Sequence, residues 1–144
     1  MNVKSILQEW AKDAVIDNVM LDAEAIRIPN LHSKYVTILS EARSKLRERR
    51  LLRRRLERDL RLWYSGGADL ELLERLGRAQ FQGRVLKSDV GEHVELDDSI
   101  IEADARIEID EERVAVLTDI VKMIHTRNFH IKNSIDWQKF HGGA

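Results

Sequence analysis

A dense group of arginines between residues 43 and 61 carries the most specific chemistry in this sequence. The segment holds ten basic side chains against Glu48, Glu57 and Asp59, which gives it a net charge of +7 in a chain whose net charge is −1. Six of the arginines are spaced so that they fall in one line on a face of an α-helix. This arginine row consists of Arg43, Arg47, Arg50, Arg54, Arg58 and Arg61. Because like charges at this spacing repel one another, the row is a candidate surface for a long polyanion, whose phosphates would relieve the repulsion.

The same arginines have a second interpretation, as a solvated helix face braced by ion pairs one turn apart. Three acidic side chains stand against ten basic ones in this segment, so most of the arginines have no local partner. This imbalance favours polyanion binding over a merely solvated face.

Two aromatic residues, Trp63 and Tyr64, follow the arginine row directly. Aromatic rings beside arginines can stack on unpaired nucleobases, as in proteins that bind single strands without sequence preference. The alternative is that the two rings are apolar anchors of the helix end. The sequence leaves both interpretations open.

Side chains suited to catalysis or metal binding are sparse. The chain has no cysteine, which excludes disulfides, thiol catalysis and cysteine-ligated zinc. None of its five histidines forms a His-x3-His pair with a carboxylate at metal-site spacing; they are His32, His93, His125, His130 and His141. No phosphate-binding glycine loop, dinucleotide fingerprint or nucleophile elbow occurs. We therefore predict a protein that is not an enzyme, with no catalytic residue, no metal site and no cofactor.

The elements that position the arginine row are predicted to be helices. The chain has 144 residues, with 43% apolar and 34% charged residues, and its single proline is Pro29. We expect a helical segment from Val3 to Ile28, a break at Pro29 with Asn30 as N-cap, and a second helix from Leu31 to Tyr64. Ser65-Gly66-Gly67 ends that second helix, because glycine tolerates the backbone conformation of a helix C-cap.

The C-terminal half predicts a short helix, a loop and two patterned helices. The short helix runs from Asp69, its possible cap, to Leu76, and residues 81–96 are mostly loop. Ser99 to Glu102 matches a capping box, and Asn128 is a plausible left-handed stop before a last helix at 129–140. Between the cap and the stop, apolar residues recur every three or four positions from Ile100 to Ile124, interrupted only at Asp110.

This heptad seam has two interpretations of about equal weight, core packing and a subunit interface. The candidate oligomerisation residues on it are Ile107, Val114, Leu117, Val121 and Ile124. Residues 89–112 also hold eleven acidic side chains against Arg106. This acidic stretch could dock a basic partner or the chain's own arginines, or it could be a solvated helix start.

No uncharged apolar run approaches the length of a membrane span, and the N-terminus lacks a signal-peptide pattern, which indicates a cytosolic protein. Adsorption to an anionic membrane is a third option for the arginine row. It is disfavoured because the opposite face of the helix is only moderately apolar.

Residues along most of the chain resemble those of the UvsY family, the recombination mediators of T-even-like phages. The N-terminal matches are Ile16-Asp17, Leu21, Glu24-Ala25 and Leu31-His32-Ser33-Lys34-Tyr35. The basic helix ends in Trp63-Tyr64-Ser65-Gly66, similar to the family's Tyr-Tyr-Ser-Gly. The C-terminal matches are Arg127, Phe129, Ile131-Lys132, Asp136 and Phe140. They occur in the same order and at nearly equal spacing.

Two departures from the family pattern fall in or near the candidate site. A family lysine and arginine implicated in DNA binding align with Arg58 and Leu60, so one charge is kept and one is lost, with Arg61 next to it. Asn128 stands where the family has a glycine, which agrees with the left-handed stop expected there.

The resemblance implies an all-α protein that binds single-stranded DNA and assembles into a ring-like homo-oligomer of about six or seven subunits. It implies two protein partners, a RecA-like phage recombinase and the phage single-strand-binding protein that the recombinase replaces on DNA. It also implies action in the cytoplasm of the infected bacterial host, without a membrane and without catalytic activity.

Together, the residues and the resemblance predict one all-α DNA-binding and oligomerisation domain over residues 1–144. Residues 1–66 contain the N-terminal helices and the basic helix, 67–98 the short helix and loop, and 99–144 the C-terminal helices. The DNA-binding candidates are the arginine row with Trp63 and Tyr64. The alternative is an oligomeric coiled-coil scaffold whose basic helix docks an acidic protein; salt-dependent binding to oligo-dT separates the two.

Overall fold

A computed structural model describes residues 1–142 of the chain, and every regular element in that range is helical. Five α-helices follow one another: α1 is Val3–Asp13, α2 is Leu21–Tyr64, α3 is Leu70–Leu76, α4 is Val90–Glu95 and α5 is Asp98–His141. A 3₁₀ turn at Lys87–Asp89 leads into α4. The predicted all-α fold class and the long basic helix are confirmed.

The chain divides into two compact units. The first contains residues 1–44 and the part of the chain from Glu111 onward, and the second is Lys45–Asp110. Each unit therefore takes one part of α2 and one part of α5. The predicted segments 1–66, 67–98 and 99–144 follow the order of the chain, whereas these units follow its packing.

The first unit is built around Tyr35, which is fully buried. Ile6 of α1, Leu39 of α2 and Leu117 of α5 belong to the same apolar cluster. The Tyr35 hydroxyl donates to Asp13 Oδ2 at 2.7 Å, and Lys34 Nζ also donates to that atom at 2.7 Å. Burial, together with the bond to Asp13, raises the pKa of Tyr35.

The connection from α1 to α2 is held by a buried cation. Arg127 of α5 donates to the carbonyl oxygens of Asp13, Ala14 and Val15 and to the buried carboxylate of Glu24 at 3.3 Å. Its side chain is only 5% exposed. Because these carbonyls lie at the last residue of α1 and in the turn that follows it, Arg127 satisfies backbone groups that have no helical partner.

The second unit has its own apolar cluster, which consists of Leu60, Val90, Val94 and Ile100, with Leu56, Tyr64, Leu76 and Val85 packed against it. The predicted short helix is confirmed as α3, with Asp69 accepting from the Leu72 N–H and Gly77 closing the helix in the left-handed conformation at φ 66°. The end of α2 at Tyr64, before the double glycine, is also confirmed.

Pro29 does not separate two helices, so the prediction of a break there, with Asn30 as N-cap, is wrong. Pro29 is an exposed residue inside α2, and the true break lies at residues 14–20. An interior proline costs about 3 kcal/mol. The buried line Leu21, Leu31 and Tyr35 continues across it, and the packing of that line outweighs the missing hydrogen bond.

Three smaller expectations for the C-terminal half are also wrong. The segment 81–96, predicted as mostly loop, has nine of its sixteen residues in a 3₁₀ turn and α4. The cap of α5 is Asp97, whose Oδ1 accepts from the Ser99 N–H at 2.9 Å, and not Ser99 itself. Asn128 lies inside α5, which runs without a stop to His141, and within residues 1–142 only Gly66 and Gly77 have positive φ.

Candidate nucleic-acid interface

All six side chains of the arginine row lie exposed on α2. Arg43 belongs to the first unit and the other five to the second. From Arg47 to Arg61 the row extends about 21 Å along the helix axis, at 1.5 Å per residue. The predicted line of cations is therefore present on one α-helix.

The members of the row differ in how they are paired. Arg58 Nη2 lies 3.3 Å from Asp59 Oδ1, and Arg61 Nη2 lies 3.1 Å from Glu57 Oε1. Arg47 and Arg54 make no hydrogen bond or ion pair with another side chain of residues 1–142. Arg61 and Glu57 are both accessible to solvent, and such a pair contributes only about 0–1 kcal/mol. Asp59 is buried, but Arg75 also pairs with it at 3.0 Å, so Asp59 keeps a cation when Arg58 turns to a phosphate.

Two other arginines of the same segment point into the second unit. Arg49 Nε lies 2.8 Å from Asp110 Oδ2, and the Asp110 side chain is 1% exposed. Arg53 donates to Asp104 at 2.9 Å, and it also donates to Glu57 and Glu95. The hydrogen bond to Asp104, reinforced by the other carboxylates, raises the pKa of Arg53.

The ion pairs of Arg49 and Arg53 use some of the carboxylates of the acidic stretch, residues 89–112. Asp104 and Asp110 neutralise arginines of their own chain, so this part of the acidic stretch does not need a basic partner. On the outward face, Arg47 and Arg54 receive no carboxylate from any described residue. The basic segment therefore has a neutralised inner side and a charged outer side, which is the distribution expected of a surface for phosphates.

Trp63 and Tyr64 lie in an aromatic cluster of the second unit with Phe81, at ring-centroid distances of 4.8 to 5.1 Å. Trp63 Nε1 donates to the Ala79 carbonyl at 2.9 Å, and the Arg78 guanidinium lies 4.7 Å from the centre of the Trp63 ring. Both rings are half-buried, and their edges and polar atoms are already engaged. The structure thus favours the anchor interpretation over free stacking platforms for bases.

The end of α2 is tied to the start of α5 through Asp97. Its carboxylate accepts two hydrogen bonds from Arg78, both at 2.8 Å, and one from the Tyr64 hydroxyl at 2.6 Å. The bonds from Arg78 and Tyr64 hold the pKa of Asp97 well below its usual range, whereas burial and the bond to Asp97 raise the pKa of Tyr64. This network fixes the position of the helix that carries the row.

The candidate oligomerisation residues of the heptad seam differ in how deeply they are buried. Leu117 and Ile124 are fully buried within the first unit, against Tyr35 and Leu39 of α2. This packing favours the core interpretation of the seam at these two positions, and their assignment to a subunit interface stays a prediction. Ile107, Val114 and Val121 are half-buried along the same seam.

Neither a metal centre nor a membrane-spanning helix is found in the described part of the chain. Residues 1–142 contain no group of three or more histidine, aspartate or glutamate side chains placed to hold a metal ion. His32 and His125 contact each other at 5.0 Å between ring centres, without a carboxylate beside them. Over the same residues, no helix has the length and apolar content needed to cross a bilayer.

Sequence reasoning missed the inner arginines as a separate group. The available signal was the double interruption of the apolar lines, at Arg49 and Arg53 on α2 and at Asp110 on α5. The basic and acidic interruptions complement each other, which is a sign of contact between the two helices.

Comparisons with known proteins give a consistent result. A family model described as "Recombination, repair and ssDNA binding protein UvsY" matches residues 9–144. Among curated proteins, none matches significantly. Crystal structures of the recombination mediator protein UvsY of bacteriophage T4 have the same fold. Lattice type II gives a TM-score of 0.83 at 21% identity, covering 99% of this chain and 98% of that one. Lattice type IV gives 0.84 at 20% identity, covering 97% and 99%.

Proposed function

This chain belongs to the UvsY family of recombination, repair and single-stranded-DNA-binding proteins, and on that premise we propose that its arginine row binds single-stranded DNA in a recombination mediator. The observation that carries the proposal is the exposed row on α2, in which Arg47 and Arg54 have no partner within residues 1–142. Regularly spaced cations on a rigid helix suit a phosphate backbone of any sequence.

The contacts expected from this surface are with phosphates more than with bases. Trp63 and Tyr64, the rings nearest to the row, are packed on Phe81 and hydrogen-bonded within the chain. Binding is therefore electrostatic in origin and steeply dependent on salt, by about 0.7 in log affinity per log salt for each phosphate neutralised.

The proposed mediator role also involves two other proteins, a recombinase and a single-strand-binding protein. The protein promotes loading of a RecA-like phage recombinase onto strands coated by the phage single-strand-binding protein, in recombination-dependent replication and repair. It acts without catalytic activity of its own, in the cytoplasm of the infected host. Several copies arranged in a ring would multiply the few phosphate contacts of one row through effective concentration.

The test is ATP turnover by the cognate recombinase on DNA coated with the single-strand-binding protein, while this protein is titrated in. A mediator stimulates turnover, because it favours the recombinase-bound state over the coated state of the strand. We expect a rise that passes through an optimum. A monotonic fall would leave only a competitor for DNA and would remove the mediator role.

A variant pair isolates the contribution of the row in that assay. Arg47→Ala with Arg54→Ala should lose most of the stimulation. Arg84→Ala with Lys87→Ala removes the same charge from exposed positions of the same unit and should keep it. If both variants stimulated the recombinase equally, the arginine row would not be the surface that binds the DNA.

A further inference from the structure

Two histidines from different helices meet at the surface of the first unit. His32 of α2 and His125 of α5 have their ring centres 5.0 Å apart, with an angle of 62° between the ring planes. Both residues belong to the first unit. The sequence predicts no metal site because its histidines lack the spacing of a metal-binding motif. A pair that is brought together from two helices has no such spacing, so only the folded chain shows it.

The core of the first unit fixes the backbone positions of the two histidines. Leu31, which precedes His32, and Ile124, which precedes His125, are 4% and 0% exposed. Both belong to the same apolar cluster. Because packed helices hold the two rings side by side, little further ordering is needed when a ligand binds between them.

The ring nitrogens of both histidines are available for a ligand. Within residues 1–142, neither His32 nor His125 makes a hydrogen bond or an ion pair with another residue. A neutral imidazole has one nitrogen that can accept, and the terminal torsion of a histidine side chain is broad. His32 is half-buried and His125 is exposed, so each ring can turn to direct that nitrogen at a common point.

The separation of the two rings fits imidazoles that share one metal ion. A zinc–nitrogen bond of about 2.0–2.1 Å places the ring centre about 3.2 Å from the ion. Two such rings at a tetrahedral angle have their centres about 5.2 Å apart, which agrees with the 5.0 Å between His32 and His125. Aromatic contact alone gives a similar separation, and titration with a metal ion distinguishes the two.

The space beside the pair also suits a hydrated ion. A cavity of about 280 Å³ is lined by Ile28, Pro29, His32, Ile124, His125 and Asn128. It has room for the water ligands of an ion, and the Asn128 carboxamide can accept a hydrogen bond from such a water. None of the lining residues is a carboxylate, which disfavours Mg²⁺ and Ca²⁺, whereas imidazole suits zinc, copper and nickel.

We propose that His32 and His125 bind one divalent transition-metal ion, of the class of Cu²⁺ or Zn²⁺, and that this ion links α2 to α5 within the first unit. The usual order of affinities for nitrogen ligands predicts that Cu²⁺ binds more tightly than Zn²⁺. Because the two histidines meet only in the folded chain, the ion stabilises the folded state. At a metal concentration 100 times the dissociation constant, the equilibrium constant for folding should increase about 100-fold. The inference does not depend on DNA binding.

Titration of the untagged protein with CuCl₂ and, separately, ZnCl₂ tests the site. Isothermal titration calorimetry should show one ion bound per chain, and the midpoint of thermal unfolding should rise with either ion. MgCl₂ should leave the midpoint unchanged. Electron paramagnetic resonance of the Cu²⁺-bound protein should show coupling to two imidazole nitrogens.

Single substitutions identify the ligands. His32→Gln and His125→Gln each remove one imidazole and keep a polar side chain, so each should lose most of the binding and most of the rise in the midpoint. His130→Gln is the matched control, because His130 is an exposed histidine of α5 that does not line the cavity. It should bind the ion as the wild type does. Circular dichroism without metal checks that each variant is folded.

Three results would overturn the inference. The first is a wild type that does not bind one ion per chain, or whose Cu²⁺ signal lacks two nitrogens, a result that requires no variant to fold. The second is a folded His32 or His125 variant with the affinity of the wild type. The third is an equal loss of binding in His130→Gln, since the ion would then be held by scattered surface histidines.

Discussion

Arg49 of α2 and Asp110 of α5 form an ion pair, with 2.8 Å between Nε and Oδ2, at the positions where each helix interrupts its apolar line. Asp110 is 1% exposed, so its charge is removed from water and depends on the protein for compensation. The pair sits beside the contacts of Arg53 with Asp104 and Glu95. These inner pairs align the basic part of α2 with the acidic part of α5 and leave the arginine row facing outward.

The first prediction concerns this pair. Arg49→Leu removes the cation that lies 2.8 Å from the buried carboxylate of Asp110 and should lower the free energy of unfolding by about 3–5 kcal/mol. Arg49→Leu with Asp110→Leu restores a continuous apolar line and should recover most of that loss. Urea unfolding followed by circular dichroism gives both values. A double variant that is as unstable as the single one would show that the pair is not an isolated unit.

Much of this fold was predictable because its helices have long, regular patterns. The end of α2 follows from Gly66 and Gly67, and the cap of α3 follows from Asp69. The charged residues that interrupt the apolar lines were harder to interpret. The role of such a residue depends on its partner, which the sequence does not identify. In the sequence Arg49 only interrupts an apolar line, whereas the structure gives it a partner, Asp110, about sixty residues further along the chain.

The second prediction concerns the stability of the protein at low pH. Because Arg78 and Tyr64 lower the pKa of Asp97, the folded state binds its proton less readily than the unfolded state does. The stability that this carboxylate contributes is therefore fully present above about pH 4, the usual pKa of aspartate, and is lost as the pH falls through its lower folded-state pKa.

Asp97→Asn should accordingly destabilise the protein by about 2 kcal/mol at pH 7 and by much less in strong acid, since the asparagine keeps the shape but not the charge. Thermal unfolding at a series of pH values measures the difference between variant and wild type. A difference that does not shrink toward low pH would assign the effect to packing instead of charge.

The third prediction separates core from interface on the heptad seam. Leu117→Ala removes a fully buried side chain and should cost about 2–5 kcal/mol, at any protein concentration. Met123→Ala, at a position of the same helix that is 54% exposed, should change stability by less than about 0.5 kcal/mol. If the cost of Leu117→Ala changed with protein concentration, the seam would be part of a subunit interface after all.

Some features of the candidate site could be predicted from the sequence, and others could not. The register of the arginine row needed only the spacing of its residues, and all six side chains are exposed as expected. The role of Trp63 and Tyr64 was not predictable, because it depends on Phe81, Arg78 and Asp97, which reach them only in the folded chain. A heptad pattern likewise does not tell whether its partner is the same chain or a second copy.

In the proposed function, the arginine row binds the backbone of single-stranded DNA. The most direct measurement is the affinity for a fluorescent oligo-dT, by anisotropy, over a range of salt concentrations. For the wild type, log affinity should fall linearly with log salt.

Arg47→Ala with Arg54→Ala should weaken binding at every salt concentration and reduce the slope by about 1.4, the value for two phosphate contacts on a single strand. Arg84→Ala with Lys87→Ala, which removes the same charge elsewhere on the second unit, should keep the slope of the wild type. An unchanged slope in the row variant, or equal loss of affinity in both variants, would contradict DNA binding by the arginine row.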